Sequence, residues 1–269
     1  MIIPKKSLGQ HFLNDLNIVR KIIHAADVGP EDDILEIGPG KGILTRQLAT
    51  YSRKVYAVEI DRHLVFYLKK ELAPFLNLEI VEGDILRIDF NELPPKFKVV
   101  ANIPCQISSP LLGLLVKERK RITSMTLMVQ KEVADRIVAH PDTKQYSPLS
   151  IFIQIYASAK IEFHIKKTSF DPPPNVDSSV VRITPLPQPR FMPLNDSAFF
   201  KVVKGAFAHR RKSIRNSLKD EGFSPEQLDV AFKELSMNPA RRGETFTIEE
   251  YGLLSNRLFG QFPPLSILP

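Results

Sequence analysis

Four short apolar runs in the first half of the chain are each followed directly by a polar or glycine-rich turn. The runs cover 34–35, 55–58, 78–81 and 99–100, and the turns cover 36–42, 59–61, 83–84 and 102–105. Helical patterns over 43–51 and 63–72 lie between the runs, an alternation typical of βαβ units. Parallel strands end at one edge of a sheet, where open α/β folds bind nucleotide-like ligands. The sequence therefore predicts a doubly wound α/β core with a ligand site at that edge.

Composition excludes several other classes of protein. The 269 residues are 43% hydrophobic, which is enough for one large domain or for a core with a small appendage. No apolar stretch approaches the ~20 residues of a membrane span, and the N-terminus lacks the apolar region of a signal peptide. A single cysteine excludes an internal disulfide and suits a reducing compartment. We therefore expect a cytoplasmic protein without a membrane partner.

The chain is predicted to divide near residue 190. Strand and helix patterns alternate up to that point, and prolines at 185, 187, 189 and 193 then form a stiff connector. Beyond the connector only helices are evident, with capping signals at 224–227 and 247–250. Residues 1–190 are therefore predicted to form the α/β core, and residues 191–269 a small all-helical domain.

The first three strand ends indicate a nucleoside site. Gly38, Gly40 and Gly42 let the backbone approach a ligand closely, but their spacing is neither a dinucleotide motif nor a P-loop. An ordinary tight turn is therefore an equally good interpretation of the glycines alone. Glu59 follows Gly38 by 21 residues (59 − 38) and ends the next strand, where a carboxylate accepts from both ribose hydroxyls. Asp84 is an acceptor for an adenine amine, the N-cap of a following helix, or both.

The motif Asn-Ile-Pro-Cys at 102–105 indicates which kind of reaction the site could catalyse. The exocyclic amine of adenine is a poor nucleophile, because its lone pair is delocalised into the ring. A site that methylates this amine needs neutral oxygen acceptors that hold its two N–H bonds and direct the nitrogen at a methyl donor. The Asn102 side-chain oxygen and a main-chain carbonyl next to the rigid Pro104 would form such a pair. In isolation an ordinary turn is the alternative, but the other strand ends favour methylation.

With these motifs the chain resembles the S-adenosylmethionine-dependent ribosomal RNA adenine dimethyltransferases over nearly its whole length. The similar segments are 5–13, 34–42, 58–61, 83–84, 102–104, 128–133 and 170–178. The resemblance implies a Rossmann-like class I methyltransferase core and S-adenosylmethionine as the cofactor, which would contact His11, Leu13, Gly38, Glu59, Asp84 and Asn102. It also implies that the catalytic residues are Asn102, Pro104 and Phe170. These would frame a flipped adenine, which regains stacking energy on the Phe170 ring.

Two positions depart from the family's pattern. Cys105 stands where the family commonly has an aromatic residue, and a thiol cannot stack on a base, so Phe170 would carry more of that task. This departure puts the efficiency of the second methyl transfer in doubt. No His or second Cys lies nearby in sequence, and a nucleophilic role for Cys105 is therefore not expected. His11 replaces an Asn often found at its position, and its main chain could still serve.

The chain carries an excess of positive charge, with 37 Lys and Arg against 30 Asp and Glu and a net charge of +7. The segment 200–219 contains seven basic residues and no acid. If this segment is one continuous helix, six of the seven fall on an arc of about a third of its surface. An RNA-binding stripe is therefore predicted, formed by Lys204, Arg211, Lys212, Arg215 and Lys219. A solvated charged helix face is the alternative.

The segment 210–216 also resembles the signature of the family members that act on the small ribosomal subunit. The resemblance implies transfer of methyl groups to N6 of two adjacent adenosines in the hairpin near the 3′ end of small-subunit rRNA, with a role in ribosome biogenesis. A monomer would bind small-subunit rRNA or a pre-assembled small subunit. Two alternatives stay open: a large-subunit rRNA adenine methylase of the antibiotic-resistance type, and a non-catalytic ribosome-assembly or nucleic-acid-binding factor. The six histidines lack metal-ligand spacing, and we expect no metal.

Overall fold

A computed structural model describes residues 4–5 and 8–260, except for the side chain of Cys105. The described residues form two compact units. The sheet unit contains the chain up to Asp135 and residues 158–185, and the helical unit contains residues 136–157 and the chain from Leu186 onward. This division differs from the predicted 1–190 and 191–269. The reason is a long-range contact, because Phe152 packs against Phe200 with ring centroids 5.4 Å apart.

The sheet unit is built on parallel strands with an antiparallel pair at one side. Its strands are β1 (Phe12–Leu13), β2 (Asp33–Ile37), β3 (Lys54–Glu59), β4 (Leu78–Glu82), β5 (Phe97–Asn102), β6 (Ile122–Gln130), β7 (Ala157–Ile165), β8 (Phe170–Asp171) and β9 (Ser178–Pro185). Within the described chain, seven of them form a main sheet in the order β4-β3-β2-β5-β6-β9-β7. Neighbours from β4 to β6 are parallel, whereas β9 is antiparallel to β6. β1 and β8 pair separately.

The centre of the main sheet lies where the connections reverse direction. All five residues of β2 are buried, as expected for a parallel strand that is covered on both faces. The chain passes from β2 to β3 and β4 on one side and then returns to β5 on the other. Ligands bind outside the carboxyl ends of the strands at such a reversal. The four strands predicted from apolar runs correspond to β2, β3, β4 and β5, so the predicted site edge is present.

The described part of the sheet unit contains five α-helices, and side-chain caps mark the beginnings of two of them. These helices are α1 (Leu16–Ala26), α2 (Ile43–Tyr51), α3 (Arg62–Glu71), α4 (Ser108–Lys117) and α5 (Lys131–Val138), and α5 runs on into the helical unit. The Asp15 carboxylate caps α1 by accepting from the Asn17 amide at 2.8 Å. The Asp61 carboxylate caps α3 by accepting from the His63 amide at 3.0 Å. The helices predicted at 43–51 and 63–72 correspond to α2 and α3.

The helical unit contains α6 (Pro148–Gln154), α7 (Asp196–Ala208), α8 (Ile214–Asp220), α9 (Pro225–Glu234) and α10 (Ile248–Phe259). No strand follows residue 190 in the described chain, as predicted. The capping box of Thr247 and Glu250 is present at the start of α10. Ser224 caps α9, but its hydroxyl donates to Glu226 rather than forming a box with Gln227. Across the described part of the chain, no helix combines the length and apolar character that crossing a membrane requires.

The predicted continuous helix over 200–219 is wrong. α7 ends at Ala208 and α8 begins at Ile214, with Ser213 as its N-cap. The Ser217 hydroxyl donates to the Gly205 carbonyl at 2.6 Å. Leu218 packs so closely against Gly205 that a Cβ added to this glycine would lie 3.0 Å from the Leu218 side chain. The chain folds back on itself because this buries Leu218 against α7. The basic residues of the segment therefore do not share one helix face.

Candidate active site

A cavity of about 250 Å³ lies at the carboxyl ends of β2, β3, β4 and β5 in the sheet unit. Every residue that the resemblance assigns to the cofactor or to the target base lines this cavity. These residues are His11, Leu13, Gly38, Glu59, Asp84, Asn102, Pro104 and Phe170. They come from segments that are far apart in sequence, so the fold brings the predicted site residues together in one place.

The glycine-rich turn between β2 and α2 packs tightly against the surrounding chain. Gly40 has a φ of 59°, and a Cβ on it would lie 3.0 Å from the Phe12 ring. Gly42 has a φ of 79°, and a Cβ on it would lie 2.8 Å from Leu68 of α3. The left-handed backbone strains any residue with a side chain, and an added Cβ would displace the Phe12 ring or the Leu68 methyl group. The backbone of the turn therefore forms a wall of the cavity itself.

Two buried glutamates lie beside the turn. The carboxylate of Glu59 accepts from the Asp61 amide at 2.9 Å and from the Gly40 amide at 3.3 Å. Burial raises the pKa of Glu59, although these hydrogen bonds oppose the shift. Glu36 is 1% exposed, and burial, together with the nearby charge of Glu59, raises the pKa of Glu36 to about 8. Sequence reasoning recorded Glu36 only as part of a motif and missed that it is protonated at neutral pH.

The described residues up to the end of β1, which are 4–5 and 8–13 and are here called the N-terminal segment, form hydrogen bonds with the turn at the end of β3. Lys5 Nζ lies 2.8 Å from one carboxylate oxygen of Asp61, and Gln10 donates to the other oxygen at 3.1 Å. Burial by itself would raise the pKa of Asp61, but the hydrogen bonds from Lys5 and Gln10 outweigh burial and lower this pKa. Glu59, two residues earlier, accepts from the main chain of Asp61. The segment is therefore linked through Asp61 to the residue that is predicted to bind ribose.

The same segment also contacts β8, which contains Phe170, and the residue that follows β8. β1 pairs with β8, which places Leu13 opposite Phe170. His11 Nδ1 lies 2.7 Å from the carbonyl oxygen of Pro172. A carbonyl only accepts, so Nδ1 carries the proton and donates. This contact of the His11 side chain was not visible in the sequence, because its partner is 161 residues away.

Asn102 and the turn that follows it present oxygen atoms at the end of β5. The Asn102 amide nitrogen donates to the His11 carbonyl at 3.4 Å, which directs the side-chain oxygen Oδ1 away from that segment. The Pro104 carbonyl accepts from the Ile107 amide at 3.2 Å. Among the described residues, no main-chain amide is bonded to the carbonyl of Ile103. The acceptors left for a ligand are therefore Asn102 Oδ1 and the carbonyl of Ile103, which precedes the rigid Pro104.

The remaining predicted residues have simpler surroundings. Phe170 is buried in a core cluster with Leu13 and Val180 while still lining the cavity. The Asp84 carboxylate accepts from the Leu86 amide at 3.0 Å and closes a turn, so its interpretation as a helix cap is wrong. The effect that we expect Cys105 to have on the second methyl transfer depends on its side chain, which lies outside the described residues. No group of three or more His, Cys, Asp or Glu side chains that could hold a metal ion occurs in the described chain.

The basic residues predicted to bind RNA lie on α7, on α8 and in the turn between them. Lys212 forms an ion pair with Asp220, and the Arg215 guanidinium binds both carboxylate oxygens of Asp229, at 2.5 and 2.7 Å. The acids that follow the basic run therefore neutralise two of its cations. The other three, Lys204, Arg211 and Lys219, are exposed and form no ion pair within the described chain.

A family model and two relatives that match this chain are described as ribosomal RNA methylases. The model of the family described as ribosomal RNA adenine dimethylase matches residues 3–258. A "ribosomal RNA small subunit methyltransferase A" from Clostridium botulinum (strain ATCC 19397 / Type A) is 40% identical over 257 residues, which cover 94% of each chain. A relative of the same description from Bacillus mycoides (strain KBAB4) is 42% identical over 265 residues, which cover 94% of this chain and 91% of the relative.

Solved structures show the same fold over most of the chain. A dimethyladenosine transferase from Plasmodium falciparum has a TM-score of 0.79 and 28% identity, covering 91% of this chain and 96% of that one. A 23S rRNA methyltransferase, ErmE, has a TM-score of 0.69 and 26% identity, covering 92% of this chain and 99% of that one. The predicted class I methyltransferase fold is confirmed. Because the family model matches residues 3–258 and relatives 40% identical cover 94% of the chain, this protein belongs to the ribosomal RNA adenine dimethylase family.

Proposed function

We propose that this enzyme transfers methyl groups from S-adenosylmethionine to N6 of two adjacent adenosines in the hairpin near the 3′ end of small-subunit rRNA. The observation that carries the proposal is the pair of oxygen acceptors at 102–103 in the same cavity as the glycine-rich turn and Glu59. The enzyme would act in the cytoplasm as a monomer, on small-subunit rRNA or on a partly assembled small subunit.

The lining of the cavity fits S-adenosylmethionine. Close backbone at Gly38 and Gly40 leaves room for an extended ligand, and the Glu59 carboxylate at the end of β3 suits the two ribose hydroxyls. Asp84, which lines the cavity, would accept from the adenine amine of the cofactor, and His11 and Leu13 line the cavity from the N-terminal segment. Oε2 of Glu36, without a hydrogen-bond partner among the described residues, provides one further polar atom in the cavity. When bound, the cofactor supplies a methyl group on a positively charged sulfonium.

The chain's own residues prepare the target amine. For the first transfer, Asn102 Oδ1 and the Ile103 carbonyl would accept hydrogen bonds from the two N–H groups of N6, which favours a pyramidal and more nucleophilic nitrogen. The nitrogen forms the new C–N bond as the methyl–sulfur bond breaks. One N–H proton then leaves to water, and no strong general base is required. Pro104 keeps the Ile103 carbonyl in place by restricting the backbone.

Phe170 supplies the aromatic surface for the target base. A base taken out of its helix loses stacking energy, and an aromatic side chain returns about 1–3 kcal/mol of it. Phe170 is 5% exposed and is held by β1 and by the core around it, so its ring is already fixed in position. Little ordering of the ring is therefore needed when the adenine enters.

A large-subunit rRNA methylase is the main alternative, because ErmE shares the fold at a TM-score of 0.69. The small subunit is favoured because relatives described as small-subunit methyltransferases are 40% identical over 94% of the chain, whereas ErmE is 26% identical. The alternative of a non-catalytic factor does not agree with membership of a dimethylase family.

The test is transfer of labelled methyl from S-adenosylmethionine to unmethylated small and large ribosomal subunits, with separation of the product nucleosides. We expect dimethyladenosine in the small subunit alone. Label in the large subunit would support the resistance-type activity instead. The absence of label from both, with subunit binding intact, would contradict catalysis by this chain.

A further inference from the structure

The outer side of α3 carries positive charge around an exposed aromatic ring. This surface, here called the α3 face, consists of Arg62, His63, Phe66, Lys69 and Lys70. All five side chains are exposed, and Phe66 is 75% exposed. Phenylalanine is usually buried, so a largely exposed ring among cations is an unusual use of this residue.

Helical geometry places the five residues together. At 3.6 residues per turn they fall within an arc of about 120°, with Phe66 near its middle. The opposite side of the helix buries Leu64, Val65 and Leu68. The only acid of α3, Glu71, lies well outside the arc. Within the described chain, Arg62, Lys69 and Lys70 form no ion pair, in contrast to Lys212 and Arg215.

The position of α3 connects the face with the candidate active site. Leu64 and the preceding Ile60 line the cavity, and Ile60 is 54% exposed. Leu68 packs against Gly42, so the helix is held against the glycine-rich turn. A polymer that reaches the cavity can therefore continue onto the α3 face without leaving the sheet unit.

We propose that the α3 face binds an unpaired segment of the rRNA substrate, with Arg62, Lys69 and Lys70 on its phosphates and one base stacked on Phe66. This inference rests on the proposed function, since it assigns a further contact to the same RNA. Cations bind the phosphate chain regardless of sequence, and an aromatic ring stacks on any unpaired base. A single exposed apolar residue needs no explanation on its own. Phe66, however, lies at the centre of cations that form no ion pair within the described chain, and this arrangement favours a nucleic-acid-binding surface over a protein-binding surface.

The experiment measures equilibrium binding of the full chain to unmethylated small-subunit RNA over a range of salt concentrations. We expect Phe66→Ala to weaken binding about tenfold, whereas Phe66→Tyr, which keeps the ring, stays within about twofold. Leu76→Ala is the matched control, because Leu76 is 98% exposed and lies outside the face. Lys69→Glu with Lys70→Glu should reduce the slope of log affinity against log salt by roughly 1.4, the value for two phosphate contacts of an unpaired strand. Arg20→Glu with Lys21→Glu on α1 makes the same change in charge elsewhere in the sheet unit.

Three binding results would overturn RNA binding by the α3 face. Unchanged RNA affinity in Phe66→Ala, or a salt slope that falls equally in the α1 control, would overturn the proposal. Weaker binding to assembled small subunits with unchanged binding to the free RNA would overturn it in favour of a protein partner. Cofactor affinity should be unaltered, and the Phe66 variants should unfold at the wild-type temperature, because the substituted side chains are exposed. Lys69→Glu with Lys70→Glu reverses the charge of the last turn of α3, so its RNA binding is measured well below its own unfolding temperature. Failure of the proposed function would be seen separately, as a wild-type chain that binds RNA without methylating it.

Discussion

Asn102 shows how a single side chain is prepared before any ligand arrives. Its amide nitrogen donates to the His11 carbonyl, so the side-chain oxygen is the atom that we propose accepts from the target amine. The neighbouring Pro104 carbonyl is occupied by the Ile107 amide, and we therefore propose the Ile103 carbonyl as the second acceptor. The acceptor pair therefore depends on two contacts made by residues that do not react.

Asn102→Ala should lower the rate of methyl transfer by about a hundredfold or more, by analogy with the loss of one catalytic hydrogen bond. Cofactor affinity should stay within about tenfold, because only one of several predicted cofactor contacts is removed. Single-turnover methylation and calorimetric cofactor binding measure the two effects separately. Asn17→Ala, on the exposed side of α1, is the matched control. Turnover near the wild-type level in Asn102→Ala would contradict the acceptor-pair mechanism.

Glu36 makes the stability of the ligand-free protein depend on pH. Its folded-state pKa of about 8 lies above the ordinary 4.5, so the folded chain holds the proton more tightly than the unfolded chain. The resulting stabilisation is complete below pH 4.5 and is lost as pH rises towards 8. Relative to Glu36→Gln, the wild-type free energy of unfolding should therefore fall with rising pH by on the order of 3–5 kcal/mol.

Urea unfolding at several pH values between 5 and 8 measures this difference. Glu82→Gln changes an exposed glutamate of β4 and should leave the pH profile as it is in the wild type. Parallel profiles for the wild type and Glu36→Gln would show that Glu36 does not titrate in this range.

At the scale of elements, α7 and α8 determine which cations face solvent. The turn at 209–213 breaks the predicted stripe, and Asp220 and Asp229 neutralise Lys212 and Arg215. Lys204, Arg211 and Lys219 remain exposed and without an ion pair among the described residues. We propose that these three carry most of the RNA affinity of the helical unit.

Arg211→Glu with Lys219→Glu should weaken RNA binding and reduce its salt slope by roughly 1.5–2, because two phosphate contacts are lost. Arg215→Gln should change the slope much less, because its charge is already engaged by Asp229. Titration of small-subunit RNA at several salt concentrations compares the two variants. A fall in the slope of about 0.7–0.9 with Arg215→Gln, the value for one lost phosphate contact, would mean that the Asp229 pair opens when RNA binds.

The same elements show what could be predicted from the sequence. The four strand ends were evident because an apolar run and the turn after it are adjacent in the chain, and the parallel topology then brings them to one edge. The break between α7 and α8 was not evident, because it depends on Leu218 packing against Gly205. The His11–Pro172 hydrogen bond and the Arg215–Asp229 pair were missed for the same reason, since both join residues that are distant in sequence.

At the scale of the whole molecule, the sheet unit contains the candidate active-site cavity and the helical unit contains exposed cations. Two methyl groups on each of two adenosines require four transfers and repeated exchange of the cofactor. The N-terminal segment lines the cavity and is held at Asp61 by Lys5 and Gln10.

The most direct measurement is the mapping and counting of methyl groups on small-subunit rRNA after reaction of the purified chain with unmethylated small subunits. Mass spectrometry of nuclease fragments reports both the modified nucleotides and the number of methyl groups on each. We expect two adjacent N6,N6-dimethyladenosines in the hairpin near the 3′ end, and about a hundredfold fewer methyl groups with Asn102→Ala at the same early reaction time. Methyl groups at another site or on large-subunit RNA, or an equal initial rate with Asn102→Ala, would contradict this mechanism.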